Sequence, residues 1–591
     1  MADPIRIANC SGFYGDRLSA AREMVEGGPI DVLTGDWLAE LTMLILARTR
    51  LKHPGGGYAR SFVTQMEQVM GTCLERGIKV VANAGGLDPD HCAEAVANAA
   101  DKLGLAPRIA YVNGDDLLGR LDELRTSGYG LTHAETGEPL EAGSLLTANA
   151  YLGAFGIVAA LDMGADIVIT GRVTDAALVC GPAAWHHRWA RDDFDALAGA
   201  VVAGHVIECG AQVTGGNYSF FGEVGDLTHV GFPWVEVASD GSCVVSKHDG
   251  TGGEVSIGTV TSQLLYEIAG PRYLGPDVTA RFDTIRLEEA GPDRVRLSGV
   301  RGEAPPATLK VAVNELGGYR QDLHIALTGL DIDEKARVVE AAFWDACPYA
   351  PGDFERVTTR LSRTDKADPG TNDEAVALWH LTLRDHDEHK VGRAVANAGV
   401  EIALATIPGY FGVGNAPGAA TPFGVYRPAL VAASVVPQYV TMLRGETRVV
   451  DSTAPPTPPS ARPAAPDPSP VASAGPGSGP TTRVALGRLV ATRSGDKGGH
   501  ANLGVFARDE RVWVWLDEFL TTQRLQELLP ETSALVVDRY RLANLRALNF
   551  FIHDLLEEGV AASSRLDKQA KGLGEWLRSR YVDVPVDLVD Q

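Results

Sequence analysis

The chain has 591 residues, of which 45% are hydrophobic and 22% charged, with a formal net charge of -23 at pH 7. That length exceeds one ordinary core and implies two or three domains, and the composition is that of a globular protein rather than a disordered or fibrous one. The acidic excess argues against a nucleic-acid partner, whose phosphates need a basic face, while leaving room for one local arginine or lysine to hold an anion.

The opening "MADPIRIANC" has no basic stretch followed by an apolar one, so no secretory signal is read and a cytoplasmic location is expected. The runs "IRIAN" (5–9), "IDVLT" (30–34), "IKVVAN" (78–83), "RIAYVN" (108–113) and "DIVIT" (166–170) are short and apolar, and each precedes a longer stretch with helical spacing. In "DWLAELTMLILARTR", Leu38, Leu41, Ile45 and Leu46 share a helical face and Asp36 is placed to cap its start. The alternation predicts an α/β fold, a mostly parallel sheet with flanking helices, in an N-terminal domain over 1–275. Within it, "WVEVASDGSCVVSK" reads as a hairpin around Asp240 and Gly241, and "EVSIGTVTSQLLYEI" as a helix. Over 276–451, the strands "DRVRLSG", "TLKVAVNEL" and "AVALWHLTLRD" mix with the helices "DEKARVVEAAFWDA" and "VGRAVANAGVEIALATI", an α+β subdomain of the same body. Residues 452–480 are almost all Pro, Ala, Ser and Gly, a composition that buries no core and predicts an extended linker. In the last stretch, 481–591, "VALGRLVAT", "ANLGVFA" and "RVWVWL" read as strands, followed by a helix, "ALVVDRYRL" and more helix, a small α+β domain.

No apolar run reaches the roughly 20 residues of a membrane span. The longest, "SLLTANAYLGAFGIVAALDMG", is broken by polar residues and glycines, so no membrane partner is expected. Seven scattered cysteines (Cys10, Cys73, Cys92, Cys180, Cys209, Cys243, Cys347) form no C-x-x-C pair, which opposes a disulfide framework and a structural zinc site.

Ligands of parallel α/β sheets bind beyond the carboxyl ends of the strands. Here the five predicted strands exit into Asn9-Cys10-Ser11-Gly12, Thr34-Gly35-Asp36, Asn83-Ala84-Gly85-Gly86, Asn113-Gly114-Asp115-Asp116 and Thr170-Gly171-Arg172, with Thr174 and Asp175 just beyond. Turns and caps favour Asn, Asp, Thr and Gly on their own account. Arg172, Asp175, Asp115 and Asp116 exceed what capping demands, and parallel strands would bring all five exits to one rim. "ECGAQVTGGNYS" (208–219) adds Glu208, suited to general acid/base work, with Gln212, Thr214 and Asn217, unless it is simply a surface loop. "KHDGTGG" (247–253) offers Lys247, Gly250, Gly252 and Gly253 as an anion-holding loop or as a ligand-free connection; the G-K-[ST] ending of a P-loop is absent. "RSGDKGGHAN" (493–502) sets Arg493, Ser494, Asp496 and Lys497 between two strands, a solvated turn or a binding finger of the small domain. No G-x-G-x-x-G, G-x-S-x-G or H-E-x-x-H occurs, and His386 and His389 in "RDHDEHK" read as a solvated charge run. No metal ligand set is expected, although Asp115 and Asp116 carry oxygens of the kind a divalent cation takes.

Several phrases together resemble the acyclic terpene utilisation (AtuA-like) family: "TGRVTDAAL", "VAGHVIECGAQVTGGN", "DGSCVVSKHDGTGG", "VTSQLLYEI" and "RSGDKGGHANLGV", with "GDWLAELTMLILARTR" and "VVANAGGLDP" upstream. The resemblance spans nearly the whole chain apart from the linker, and "LKHPGGGYAR" (51–60) is where the chain departs from it. It implies a role in breaking down citronellol- and geraniol-type acids as coenzyme A thioesters, and a ferredoxin-like fold for the C-terminal domain. It supplies no catalytic residue set, so the site is read from the residues themselves.

The expectation is an enzyme of acid/base chemistry, hydration or C–C lysis, on a branched or unsaturated acyl-CoA or related acid. Asp175 or Glu208 would be the base, with Asp36 also counted among the catalytic groups. Arg172 would partner a carboxylate or enolate, and the Asn83-to-Gly86 turn would donate backbone N–H groups. Asn9, Gly12, Asn113, Asp115, Asp116, Thr170, Thr174, Gln212, Thr214 and Asn217 would line the substrate, Lys247 and its glycines would hold an anionic part, and Arg493, Ser494, Asp496 and Lys497 would close the site. No cofactor is expected beyond the CoA moiety such a substrate brings. The partners expected are a small acyl substrate, further copies of the chain in a homo-oligomer, and acyl-CoA-metabolising enzymes. The alternative is a non-catalytic binding or scaffold subunit for such enzymes, in which the rim residues would be dispersed as caps.

Overall fold

Ile, Val and Ala fill the strands Ile5–Asn9, Val32–Gly35, Lys79–Ala82, Ile109–Asn113 and Ile167–Thr170, which the computed structural model places side by side and parallel. Their spatial order puts the last between the third and fourth, with registers Ile7↔Val32, Leu33↔Val80, Val81↔Val168 and Ala110↔Val168. Alternate residues serve two cores. Ile7, Val32, Val81, Ala110 and Val168 belong to one with Ile157, Leu178, Val202 and Val206, while Ala8, Leu33, Val80 and Ile169 join Phe62, Met66, Val69 and Val96 in the other. Two buried faces explain why the strands read as unbroken apolar runs.

The expected parallel sheet is thus the centre of an 11-stranded mixed sheet. The hairpin Pro233–Val237 and Cys243–Lys247 joins one edge antiparallel (Ile7↔Val235), followed by Val295–Ser298 and Arg286–Glu289. Gln438–Met442 and Thr447–Val450 extend the other edge. Helix Phe194–Ile207 is small and apolar on every side because every residue from Leu197 to Ile207 is buried.

Two expectations are corrected here. The helix following Val32–Gly35 runs Glu40–Lys52 and begins after Ala39, so Asp36 does not cap it; it buries Met43, Leu44, Leu46 and Ala47, and Leu41 and Ile45 face outward. The Asp36 carboxylate is instead drawn into the site below. "RVWVWL" lies in a helix, Glu510–Phe519, because the Asp509 carboxylate accepts from the amides of Arg511 and Val512, and Val512, Trp513, Trp515 and Leu516 form a buried stripe at helical spacing.

The structure describes residues 3–140, 145–414, 418–452 and 479–589. Positions 453–478 of the expected linker lie outside these. The chain divides into two compact units: Met1–Asn314, Tyr426–Val560 and Asp567–Gln591 make the first, and Glu315–Val425 with Ala561–Leu566 the second. In the second, strand Val376–Asp385 pairs antiparallel with the later part of Thr308–Thr328 on one side and with Arg356–Ser362 on the other, over a core that holds Phe343, Trp379 and Val395.

The C-terminal domain, apart from Ala561–Leu566, belongs to the first unit. Its four-stranded antiparallel sheet has the order Val490–Lys497, His500–Ala507, Ala547–Ile552, Val537–Leu542. Side-chain amides fasten it to the core: Asn502 donates to the Leu265 carbonyl (3.0 Å) and accepts from the Glu267 amide (2.8 Å), and Asn549 donates to Ala269 (2.9 Å). Among the described residues no helix is long and apolar enough to cross a membrane.

Candidate active site

Side chains at the exits of the parallel strands tie them to a helix end or to one another. The Asn9 side chain donates to the carbonyls of Ile207 (2.6 Å) and Glu208 (3.0 Å), fixing the end of helix Phe194–Ile207 above the first strand. Gly12 lies against the same segment so closely that a Cβ there would stand 2.5 Å from the Cys209 carbonyl carbon. Gly12→Ala is therefore expected to lower unfolding stability by about 1–3 kcal/mol, read by denaturant titration, because the clash is with backbone and not with a movable side chain. The Asn83 amide joins the next two exits, donating to Asp36 at 2.5 Å and accepting from the Trp37 amide at 2.8 Å. Asp115 accepts from Asn149 (2.8 Å) and from the Arg172 backbone amide (2.9 Å), which joins the remaining pair.

Arg172 is the buried cation of this rim, 2% exposed. Its guanidinium donates to Asp175 at 2.5 Å and to the Val173 carbonyl at 3.0 Å, lies 4.1 Å over the Tyr151 ring, and keeps its Nε without a partner. The Tyr151 hydroxyl donates to Glu40 (2.9 Å), which also takes Lys310 (3.2 Å). Burial would lift the Glu40 carboxyl, but Lys310 and Arg172 outweigh it and hold it well below the usual carboxylate range.

The other acids go the opposite way. Burial, reinforced by the Asp175 charge, pushes both Asp36 and Glu208 well above the carboxylate range, and the nearby Arg172 offsets only part of this. Burial pushes Asp115 up to about 7 against its two N–H donors, and pulls His205 down to about 4. His205 Nδ1 stands 3.2 Å from a Glu208 oxygen, and the second Glu208 oxygen has no partner. Burial thus favours the neutral form of both partners in this contact. The arrangement holds two carboxyls that burial drives toward the neutral form, a third bound to an arginine, and that arginine stacked on a tyrosine.

Comparison with family models matches the chain to the acyclic terpene utilisation family protein AtuA over residues 5–442, and to the AtuA ferredoxin-like domain over 484–583. The chain belongs to the AtuA family. That membership places it among proteins of acyclic terpene utilisation. Comparison with curated proteins and with solved structures returned no match.

The AtuA ferredoxin-like domain brings its own charges to the rim. Arg493 lies 4.0 Å over the Tyr266 ring and donates to Gln212; Lys571 donates to the Tyr266 hydroxyl and stands 3.7 Å from Glu267 and 3.8 Å from Asp496. Burial and Glu267 push Asp496 up to about 7. Lys497 is within electrostatic reach of Glu40, Asp175, Glu208, His205 and Lys310.

Other singled-out residues have structural engagements. The Lys247 ammonium is bound by the Thr251 carbonyl (2.9 Å) and Asp293 (3.1 Å), and Gly252 and Gly253 pack on backbone carbonyls of 226–229 and 214. Gly250 has a φ of +75° and open space where a Cβ would sit. The Gly85 and Gly86 amides donate to Thr170 and Asn83, which leaves the Asn83-to-Gly86 turn without those N–H groups for a ligand. Thr214 bonds the carbonyls of Ala211 and Gly231, Thr170 that of Gly171, the Thr174 amide that of Leu152, and Ser494 that of Ala570. Asn217 takes a left-handed turn conformation, and Asn113 sits in the ladder opposite Tyr439. Asp116 accepts from the Leu118 amide and lies 3.6 Å from Arg50, so it and Asp115 are engaged separately. Asp88, Asp90 and His91 bring donor atoms within 4.8 Å of one another, but Asp88 already holds the Gly57 amide and His91 pairs with Asp90.

Sequence reasoning missed Glu40, Tyr151, His205, Tyr266, Lys310, Tyr426 and Lys571. Glu40 and His205 sat inside helical patterns, and Lys310 inside a strand, next to an apolar run. A lysine between "TL" and "VAV", or a histidine in an otherwise apolar helix, was the available signal.

Proposed function

We propose that this AtuA family protein is an enzyme of acid/base chemistry, hydration or C–C lysis, on a branched or unsaturated acyl-CoA or related acid. The observation that carries the reading is the gathering of buried Asp36, Arg172 and Glu208 with the part-buried Asp175 in one cluster beyond the carboxyl ends of parallel strands. Both reactions need a cation for the enolate-like oxygen, an acid to protonate the α-carbon and a base for an O–H proton. Arg172, with its free Nε, serves the first need. Glu208 or Asp36, in which burial favours the protonated form, serves the second, and Asp175 the third. In hydration the base takes a proton from water as its oxygen adds to the β-carbon, and the acid delivers a proton to the α-carbon. In lysis the base takes the β-hydroxyl proton, the α–β bond breaks, and the acid protonates the carbanion. Lys310, Lys497 and Arg493 make the surroundings favourable for an anionic substrate.

The test is thermal stabilisation by a panel of branched acyl-CoA thioesters, their free acids and CoA alone. A ligand at about 100 times its Kd stabilises the native state by roughly 2.7 kcal/mol. The expected result is a shift with branched acyl-CoAs or acids that disappears in Arg172→Ala. A second reading, a binding subunit for acyl-CoA-metabolising enzymes, draws on Leu41 and Ile45, adjacent on an exposed helix face at 38% and 39% exposure. A panel without any shift would favour it and count against the enzyme.

A further inference from the structure

We propose that Lys497 is a covalent nucleophile that captures a substrate ketone as an imine, so that the site takes keto or β-hydroxy-keto acids. This rests on the acid/base reading of the same site and names its substrate class more narrowly.

The geometry comes from strand Val490–Lys497, where alternate residues share a face. Arg493 is the first of them here, lying on Tyr266. Gly495 is the second, and a Cβ there would strike the Tyr266 ring, so the missing side chain lets that ring lie between its neighbours. Lys497 is the third. The turn that follows is two residues long, since Lys497 pairs with His500, and Gly498 has a φ of +65° with its Cβ direction blocked 2.9 Å away by the Tyr426 ring. Tyr266 and Tyr426 therefore fix the lysine's backbone from both sides.

The other cations of the cluster are engaged: Arg172 with Asp175, Lys310 with Glu40, Arg493 with Gln212, Lys571 with Tyr266. Among the described residues the Lys497 ammonium has no hydrogen-bond or ion-pair partner. The charges facing it are Lys310, Glu267, Glu40 and Asp175, with His205 and Glu208 also in reach. Burial and Lys310 favour the neutral amine, and the three acids reverse only part of that. A partly desolvated lysine beside a second cation is a recognised route to an amine nucleophile.

The chemistry balances without an oxidant or reductant. The amine lone pair forms an N–C bond to the ketone carbon and one N–H proton passes to the oxygen, giving a carbinolamine. A protonated carboxyl of the site, Glu208 or Asp36, gives its proton to that hydroxyl, which leaves as water and leaves an iminium ion. A carboxylate then removes the β-hydroxyl proton, the α–β bond breaks into a carbonyl fragment, and its electron pair neutralises the iminium as an enamine. Protonation at carbon and addition of water release the ketone and the free lysine.

The experiment treats the full-length protein near neutral pH with levulinate (4-oxopentanoate) and borohydride, then maps reduced adducts by peptide mass. The expected result is an adduct more abundant on Lys497 than on an exposed lysine such as Lys52, since a lowered pKa leaves more of the amine neutral. In Lys497→Arg that adduct should vanish while the melting temperature stays near that of wild type. An adduct no more abundant on Lys497 than on Lys52, or none at all, overturns the inference. The wild-type map decides the matter even if the variant folds poorly. The two failures separate: missing adducts with an intact acyl-CoA melt shift overturn only the nucleophile, whereas a missing melt shift counts against the broader reading.

Discussion

Arg172→Lys is expected to reduce kcat/KM by about 10²-fold or more although it keeps the positive charge, a loss on the scale of removing a preorganised transition-state donor. The native guanidinium does three things at once. It holds Asp175, donates to the Val173 carbonyl, and stacks on Tyr151 with Nε left over. A lysine ammonium is a point charge that cannot keep this fork and stack together. Arg172→Ala goes further, because Glu40 loses one of the three cations that lower its pKa and Asp175 loses its partner. Breaking such a buried pair costs about 3–5 kcal/mol of stability. Denaturant unfolding of both variants, beside steady-state kinetics on whichever thioester or acid the panel identifies, checks the two effects separately. A lysine variant with wild-type kcat/KM would remove Arg172 from the chemistry and leave it a structural role.

The fold was legible where chemistry is local. Five runs of Ile, Val and Ala, each ending in a polar or glycine exit, are enough to identify parallel strands, because a strand covered on both faces has no alternation to hide it. The C-terminal helix Glu510–Phe519 was not legible, since Val512, Trp513, Trp515 and Leu516 satisfy a helical stripe and nearly satisfy a strand pattern, and only Asp509 as a cap decides between them. The site divides in the same way. Asp36, Arg172, Asp175 and Glu208 stand at strand or helix ends, where polar residues attract attention. Tyr151, Lys310 and Tyr426 lie far apart in sequence and meet only through tertiary packing, and no spacing rule connects them. The Lys247 loop was attractive for its glycines, yet Gly252 and Gly253 answer to backbone carbonyls packed against them and Lys247 to Asp293, which no local reading reveals.

Glu208→Gln is expected to abolish most activity while making the protein more stable at alkaline pH, and this opposition separates a proton donor from a structural carboxyl. Glu208 is 8% exposed, one of its oxygens has no partner, and burial with the Asp175 charge raises its folded pKa well above the carboxylate range. The unfolded chain gives up that proton near 4.3, so between this value and the folded pKa the unfolded state binds fewer protons than the folded one. Stability contributed by the protonated carboxyl is therefore complete below the unfolded value and is lost as pH rises through the folded value. His205 has the opposite slope: its pKa falls from 6.5 to about 4 on folding, so between those values it makes stability rise with pH. Above about pH 7 the histidine contributes no slope, and the other raised carboxyls, Asp36, Asp115 and Asp496, are common to both proteins, so the difference between them isolates the Glu208 component. Glutamine keeps the shape and a hydrogen-bonding group beside His205 but has no proton to lose, so its melting temperature should decline less from neutral to alkaline pH than that of wild type. The same change removes a general acid, whose loss typically costs 10²- to 10⁴-fold in rate. Parallel pH-melting curves and turnover assays of the two proteins measure both effects. Equal alkaline slopes together with retained turnover would show that Glu208 is neither protonated near neutral pH nor the donor, and Asp36, raised by the same burial, would take its place.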